Sequence, residues 1–184
     1  MKPSIRTGDL KIGQYHGKRD PSNKRSEAKI QRLLYENQLI TIVTERNAAK
    51  HITIRVFGYE VQLEEGKSRG RCIDLLGYDK ELNLYVIELK KEASQEKLSK
   101  VEKQVAEYLE CVRKMQILIE KEFHMSYFLQ VAFRSIRTII LAPHKFYDGE
   151  RKGMQRADYY CYFRDRDICN RNPGTPVNIH LWKK

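Results

Sequence analysis

Cysteine is scarce and scattered. The four in the chain, Cys72, Cys111, Cys161 and Cys169, include no C-x-x-C pair. That argues against a disulfide framework and a tetrahedral zinc site, and reduced thiols of an intracellular protein are the expectation. The five histidines contain no H-x-x-x-H or H-E-x-x-H grouping, so soft-metal and histidine-based chemistry lose their usual signature. Long apolar runs are missing too. Nothing approaches the roughly 18 residues that cross a bilayer. The opening residues, M-K-P-S-I-R-T-G-D-L-K-I-G, hold no apolar stretch of the signal-peptide kind. The expectation is a protein that is neither secreted nor membrane-bound, in the cytoplasm or nucleus. There is no internal repeat and no low-complexity tract, which excludes a solenoid.

An acidic excess is also absent. Lys and Arg number 35 against 24 Asp and Glu, a formal charge of +11 over 184 residues. A polyanionic partner follows, and nucleic acid is the commonest. The excess lies at the ends. Residues 1–25 carry seven basic and two acidic side chains, residues 145–184 nine and five, and the centre nineteen and seventeen. With 41% hydrophobic and 32% charged residues, the chain can bury a core under a wet surface. The expected organisation is a basic arm over 1–25 and one domain over 26–184, with a core at 26–142 and a basic extension at 143–184.

Ser26 offers an N-cap, Glu27 suits the first turn, and Ile30, Leu33 and Leu34 recur at helical spacing, predicting a helix over about 26–38. His51–Val56 alternates in the manner of a strand. Gly58 breaks it, and Tyr59–Leu63 is either a second strand or the far side of a bulge. Cys72–Tyr78 and Leu84–Leu89 flank the turn-rich spacer Asp79-Lys80-Glu81-Leu82-Asn83 and read as a hairpin. Ser99-x-x-Glu102 fits a capping box. Behind it, Val101, Val105, Tyr108, Val112, Met115 and Ile119 form one helical stripe. Ile136–Leu141 reads as a buried strand stopped by Pro143, and Tyr159–Phe163 and Val177–Trp182 as strands around a turn at Pro173-Gly174. This order suggests a mixed sheet covered by helices, an α/β (α+β) class.

Two motif matches fail on context. Gly66-Lys67-Ser68-Arg69-Gly70 fits G-x-S-x-G, but a strand follows where the nucleophile elbow needs a helix. The same Gly-Lys-Ser would end a phosphate-binding loop only with glycine where Val61 stands.

The hairpin carries the chemistry. Asp74 interrupts Cys72-Ile73-Asp74-Leu75-Leu76, and Glu88 and Lys90 interrupt Val86-Ile87-Glu88-Leu89-Lys90. Glu88 and Lys90 share one face, with Ile87, Leu89 and Lys91 on the other. Pairing Tyr78 with Leu84 sets Asp74 opposite Glu88 on that face. Two carboxylates opposed in a central strand pair are destabilising unless something cationic offsets them. Lys90 is one candidate. A divalent metal is another, and oxygen-only ligands suit Mg²⁺ or Mn²⁺. Glu60 and Glu64 could add a carboxylate, though nothing in the spacing forces it.

In these residues the chain resembles the PD-(D/E)xK nuclease superfamily. Arg71-Cys72-Ile73-Asp74-Leu75-Leu76 is similar to the first acid in its R-x-D-L-L context, and Glu88-Leu89-Lys90 to the (D/E)-x-K element. The resemblance covers about residues 26–142 and implies a restriction-endonuclease-like core of order αβββαβ, a central mixed β-sheet flanked by helices. It implies metal binding by Asp74, Glu88 and the backbone carbonyl of Leu89, with Lys90 catalytic. Glu27 matches a further active-site acid, and Gln104 and Tyr108 the Q-x-x-x-Y element of some subfamilies. Residue by residue, Glu27 equally complements a helix dipole and Tyr108 equally fills a core.

Arg69 and Arg71 beside the first acid, and Lys11, Lys18, Arg19, Lys24 and Arg25 in the arm, are candidates for holding phosphates. Tyr159, Tyr160, Tyr162 and Phe163 with Arg164 and Arg166 either stack on unpaired bases or fill the core. The expected function is Mg²⁺- or Mn²⁺-dependent hydrolysis of phosphodiesters in nucleic acid, DNA ahead of RNA. Cutting both strands of a duplex would call for a homodimer. The alternatives are a catalytically silent module that binds nucleic acid or assembles with a partner, and a basic protein–protein adaptor.

Overall fold

Ile30, Leu33 and Leu34 form one apolar stripe over three turns, and the chain coils there into α1 (Glu27–Asn37). Gln38 ends the helix in the left-handed region at φ 60°, its N–H donating to the Tyr35 carbonyl at 3.1 Å. That tight reversal sends the chain at once into β1 (Leu39–Val43). β2 (Ile52–Gln62), β3 (Cys72–Tyr78) and β4 (Asn83–Leu89) follow, then α2 (Leu98–Tyr127), β5 (Ser135–Pro143), a 3₁₀ turn at His144–Tyr147, β6 (Tyr159–Phe163) and β7 (Val177–Leu181). The computed structural model describes residues 27–43, 51–63, 72–91, 94, 96–148, 156–164 and 175–182.

The sheet closes on itself. Its order is β1-β2-β3-β4-β5-β6-β7, and β1 pairs in parallel with β7 as well as antiparallel with β2. The β4–β5 and β5–β6 pairs are parallel as well, and the other four pairs are antiparallel. This corrects the expected fold. A closed seven-stranded barrel with two α-helices among the described residues is not an open sheet flanked by helices of the restriction-endonuclease-like type. The reason is β1, whose five residues L-I-T-I-V offer one edge to β2 and the other to β7. Closure leaves no edge strand among the described residues. β6 and β7 of the C-terminal extension are thus staves of the barrel.

Inside it, Ile40, Ile42, Ile54, Leu75, Ile87, Leu89, Ile139, Leu141 and Ile179 are fully buried, and Leu34 of α1 packs among them. Each such side chain contributes about 1.5–3 kcal/mol. α2 lies on the outer face, where Val112, Met115, Ile119 and Phe123 meet Phe57, Leu76 and Val86. β3 and β4 are therefore covered on both faces, so a charged residue on either one is taken out of water.

β2 is one strand with a bulge between Val56 and Gly58, not two strands. At Gly77 a Cβ would lie 2.5 Å from Ile54 Cγ2, so the close approach of β2 and β3 requires glycine there. The capping box is a further correction. α2 starts at Leu98, no side chain caps its N-terminus, and Glu102 is buried, accepting bonds from the Tyr160 hydroxyl and, at 3.4 Å, the Arg156 amide. A distant tyrosine has taken the carboxylate that local pattern assigns to the cap.

The hairpin forms in the expected register, with Tyr78 opposite Leu84 and Leu75 opposite Ile87. Asp79 holds its turn by accepting the amides of Glu81 and Asn83 at 2.9 Å each, Asn83 Nδ2 at 2.8 Å and the Tyr85 hydroxyl at 2.9 Å. Burial alone would raise its pKa, but these donors, Asn83 foremost, outweigh burial and hold it below the usual carboxylate value. A depressed folded-state pKa adds stability that is full above about pH 4 and fades as pH falls through the folded value. Asp79→Asn should lower stability at neutral pH by about 1–3 kcal/mol and flatten its acid dependence, read from denaturant midpoints between pH 2 and pH 7. An unchanged acid slope would assign the loss to other carboxylates.

Candidate active site

The site sits where β3 begins and β4 ends. The β3–β4 ladder ends at Leu75–Ile87, and one residue beyond it the Asp74 side chain reaches across to β4 beside Glu88. Both Asp74 oxygens have donors. Oδ2 accepts the Leu89 amide at 2.7 Å, and Oδ1 accepts Gln31 Nε2 at 3.1 Å. The same Gln31 nitrogen also reaches the Asp74 carbonyl at 3.0 Å. Burial and then the Glu88 charge push the Asp74 pKa well above the carboxylate range, against the opposing Leu89 amide.

Glu88 is almost fully buried. Its Oε1 meets Lys90 Nζ at 2.8 Å, while no hydrogen-bond donor reaches its Oε2 among the described residues. Burial raises its pKa, and the Lys90 charge only partly offsets this. The two acids lie close enough to share a hydrogen bond when one is protonated. A buried oxygen without a donor, facing a second carboxylate, is stabilised by a proton or a cation.

Lys90 is held between two acids, with Nζ also 2.9 Å from Glu96 Oε2. Burial disfavours its ammonium, but Glu88 and Glu96 outweigh this and raise its pKa. Lys90 is thus held as an ammonium between the two carboxylates. Glu96 is itself pinned, accepting from Lys100 Nζ at 2.8 Å, and bonds from Lys100 and then Lys90 bring its pKa down to about 2.

α2 and α1 supply the walls. Gln104 Nε2 donates to the Tyr108 hydroxyl at 2.5 Å. Tyr108 feels Glu88 and Asp74, and burial followed by the Glu88 charge keeps its phenol protonated. Glu27 lies at the rim, accepting the Lys91 amide at 3.2 Å, and its charge reaches both Asp74 and Glu88. Leu89 turns its N–H toward Asp74, and in an extended strand its carbonyl takes the same direction.

Asp74, Glu88, Lys90, the Leu89 backbone, Glu27, Gln104 and Tyr108 thus come together as the sequence suggests. Arg69, Arg71, Lys24, Arg25 and Glu64 lie outside the described residues. Glu60 stands opposite Asp74 in register, but its φ of 46° turns it out of the strand alternation, and it joins no carboxylate group. Two site residues carry weak sequence signals. Gln31 is one helical turn from Glu27, and Glu96 one turn before Lys100.

Among the described residues no three His, Cys, Asp or Glu side chains gather as a metal cage. A pair of carboxylates with a main-chain carbonyl still suits Mg²⁺, which keeps several of its waters and takes one or two carboxylates from protein. The donor-free Glu88 Oε2 is the observation that fits such an ion. A cavity of about 630 Å³ opens at the opposite end of the barrel, lined by Arg55, Asp79 and Arg137 and by none of these site residues. No helix among the described residues is long and apolar enough to cross a membrane. No family model, curated protein or solved structure matches the chain.

Proposed function

We propose that the chain is a Mg²⁺- or Mn²⁺-dependent phosphodiesterase acting on nucleic acid, DNA in the first instance, with a site of PD-(D/E)xK type carried on a barrel. The observation that supports this most is half-buried Asp74 beside buried Glu88, with an oxygen that lacks a donor and a lysine held as a cation next to it. Asp74, Glu88 and the Leu89 carbonyl would hold the ion. When bound, it polarises a phosphoryl oxygen and lowers the pKa of water.

The protein's own groups do the rest. Lys90, protonated and fixed by Glu88 and Glu96, donates to the attacking water or to the phosphoryl oxygen on which charge grows. Gln31 and the Leu89 amide keep the Asp74 carboxylate in one orientation. Gln104 sets the Tyr108 hydroxyl, which remains a donor against the same charged face. The basic excess of the chain draws in the polyanion.

A second reading has an observation in its favour. Both Asp74 oxygens already accept a hydrogen bond, and Lys90 already neutralises part of Glu88, so the cluster can stand as an internal salt bridge in a silent binding module. Incubation with linear and structured DNA and RNA, with EDTA, Mg²⁺ or Mn²⁺, separates the two. Divalent-dependent cleavage is expected. Salt-sensitive binding with no cleavage under any ion would favour the silent module.

A further inference from the structure

Barrel closure brings a second set of side chains to the same end as the carboxylate pair. Leu89 pairs with Leu141, and the Lys90 amide donates to the Leu141 carbonyl at 2.9 Å, so Lys90 lies beside Ala142. Ala142 pairs with Tyr162, and Tyr162 with His180. One transverse row therefore runs from Lys90 across three strands to His180. Paired positions point to one face, so this row shares the face of Glu88.

Along its far half the row carries a ladder of rings. The rings of Tyr162 and His180 stack at 5.2 Å, His144 meets Tyr162 edge-on at 5.1 Å, and His144 and Trp182 are 4.3 Å apart. The Arg164 guanidinium lies 5.8 Å from the centre of the Tyr162 ring. Tyr162 is largely buried and anchors the group, while His180 and Trp182 are half-exposed and His144 and Arg164 are exposed. Trp182 also packs on the buried Tyr147 at 5.2 Å, so the rings are held in place while His144, His180 and Trp182 keep part of their surface in solvent, at little further cost in side-chain entropy on binding.

We infer that this ladder, His144, Tyr162, His180, Trp182 and Arg164, binds the unpaired bases of a single-stranded nucleic acid. Aromatic faces with an adjacent guanidinium and a basic chain are the features that grip single strands without reading sequence. A duplex keeps its base faces stacked inside the helix and cannot use the rings. Between Lys90 and Tyr162 the row passes Ala142, which is fully buried in one cluster with Leu98 and Val101 of α2, so packed side chains separate the ladder from the carboxylate pair. The inference goes beyond the proposed function and rests on the ladder alone.

Trp182 is the only tryptophan in the chain, so the ladder reports on itself. Titrating the full chain with a short oligothymidine in EDTA should quench Trp182 emission, with a blunt duplex of equal charge binding about tenfold more weakly. In anisotropy with a labelled oligothymidine, Trp182→Leu and the exposed-site double variant His144→Ala, Arg164→Gln should each weaken binding by about tenfold. Equal affinity for duplex and single strand, or variants that bind as the parent does, would overturn the inference. EDTA silences cleavage, so the outcomes separate. Ladder-dependent binding without cleavage under any divalent ion upholds the ladder and defeats the nuclease reading. Cleavage that persists unchanged in ladder variants on single strands does the reverse.

Discussion

Lys90→Ala is expected to cut the rate of divalent-dependent cleavage by about 10²–10³-fold, the usual loss when one preorganised donor to developing charge is removed. Lys90 is the cation that meets Glu88 among the described residues, and Glu96 also holds it in place. Alanine removes the charge and the donor together. It also leaves Glu88 buried beside Asp74 with less to offset it, and breaking a buried ion pair from one side costs about 3–5 kcal/mol.

Rates must therefore be compared per folded molecule, with circular dichroism and melting recorded beside them. Lys90→Arg keeps a charge for Glu88 and Glu96 but replaces a compact ammonium with a planar fork. It should recover most of the lost stability and little of the rate. Cleavage by folded Lys90→Ala at the parental rate would remove Lys90 from the chemistry and defeat the proposed function. Parental melting of Lys90→Ala would defeat the claim that Glu88 needs its charge.

Glu88→Gln is expected to move stability and activity in opposite directions. In EDTA the substitution removes one of two opposed carboxylates and sets an N–H where Oε2 has no donor. Lys90 keeps Glu96 as its partner. Neutralising a buried like-charge conflict should stabilise the chain by about 1–2 kcal/mol, which raises the melting temperature by roughly 2–8 °C for a chain of this size. Cleavage should fall by at least about 10²-fold, because the carboxylate that would bind the ion is gone.

The effect of metal then inverts. Mg²⁺ at about 100 times its dissociation constant adds about 2.7 kcal/mol to a folded state that binds it, and should raise the parent's melting temperature but not the variant's. A Glu88→Gln chain that melts below the parent in EDTA would mean that its contact with Lys90 outweighs its conflict with Asp74. Equal stabilisation of both chains by Mg²⁺ would place the ion elsewhere.

The parts of the site within reach of local pattern are those on one hairpin and one helix. Alternation puts Glu88 and Lys90 on one face. The five-residue turn sets Tyr78 against Leu84 and carries Asp74 to Glu88. The stripe of α2 is buried residue for residue, and Gln104 and Tyr108 ride on its edge. Other partners lie beyond such reasoning. Gln31 reaches Asp74 across 43 residues, and Tyr160 reaches Glu102 across 58. The capping box failed for that reason, since S-x-x-E describes a local competitor for a carboxylate and says nothing of a distant one.

Aromatic residues at the C-terminal end divide in the same way. Cys161 and Phe163 point into the barrel, whereas Tyr162 anchors the ring ladder outside it. Alternation puts those two sets on opposite faces but does not say which face is interior. That choice came with the closing of the sheet.

Composition and periodicity therefore account for the opposed acids, the lysine beside them and the long amphipathic helix. Each depends on residues within a turn or a hairpin of one another. Closure does not. β1 and β7 meet from opposite ends of the described chain, and every strand offers the same N–H and C=O groups along its edges. Side-chain period marks the face a residue shares and leaves the edge that finds it undetermined. The barrel, the ring ladder at the end that carries the carboxylate pair, and the hold of Gln31 on Asp74 arise from contacts between distant parts of the chain.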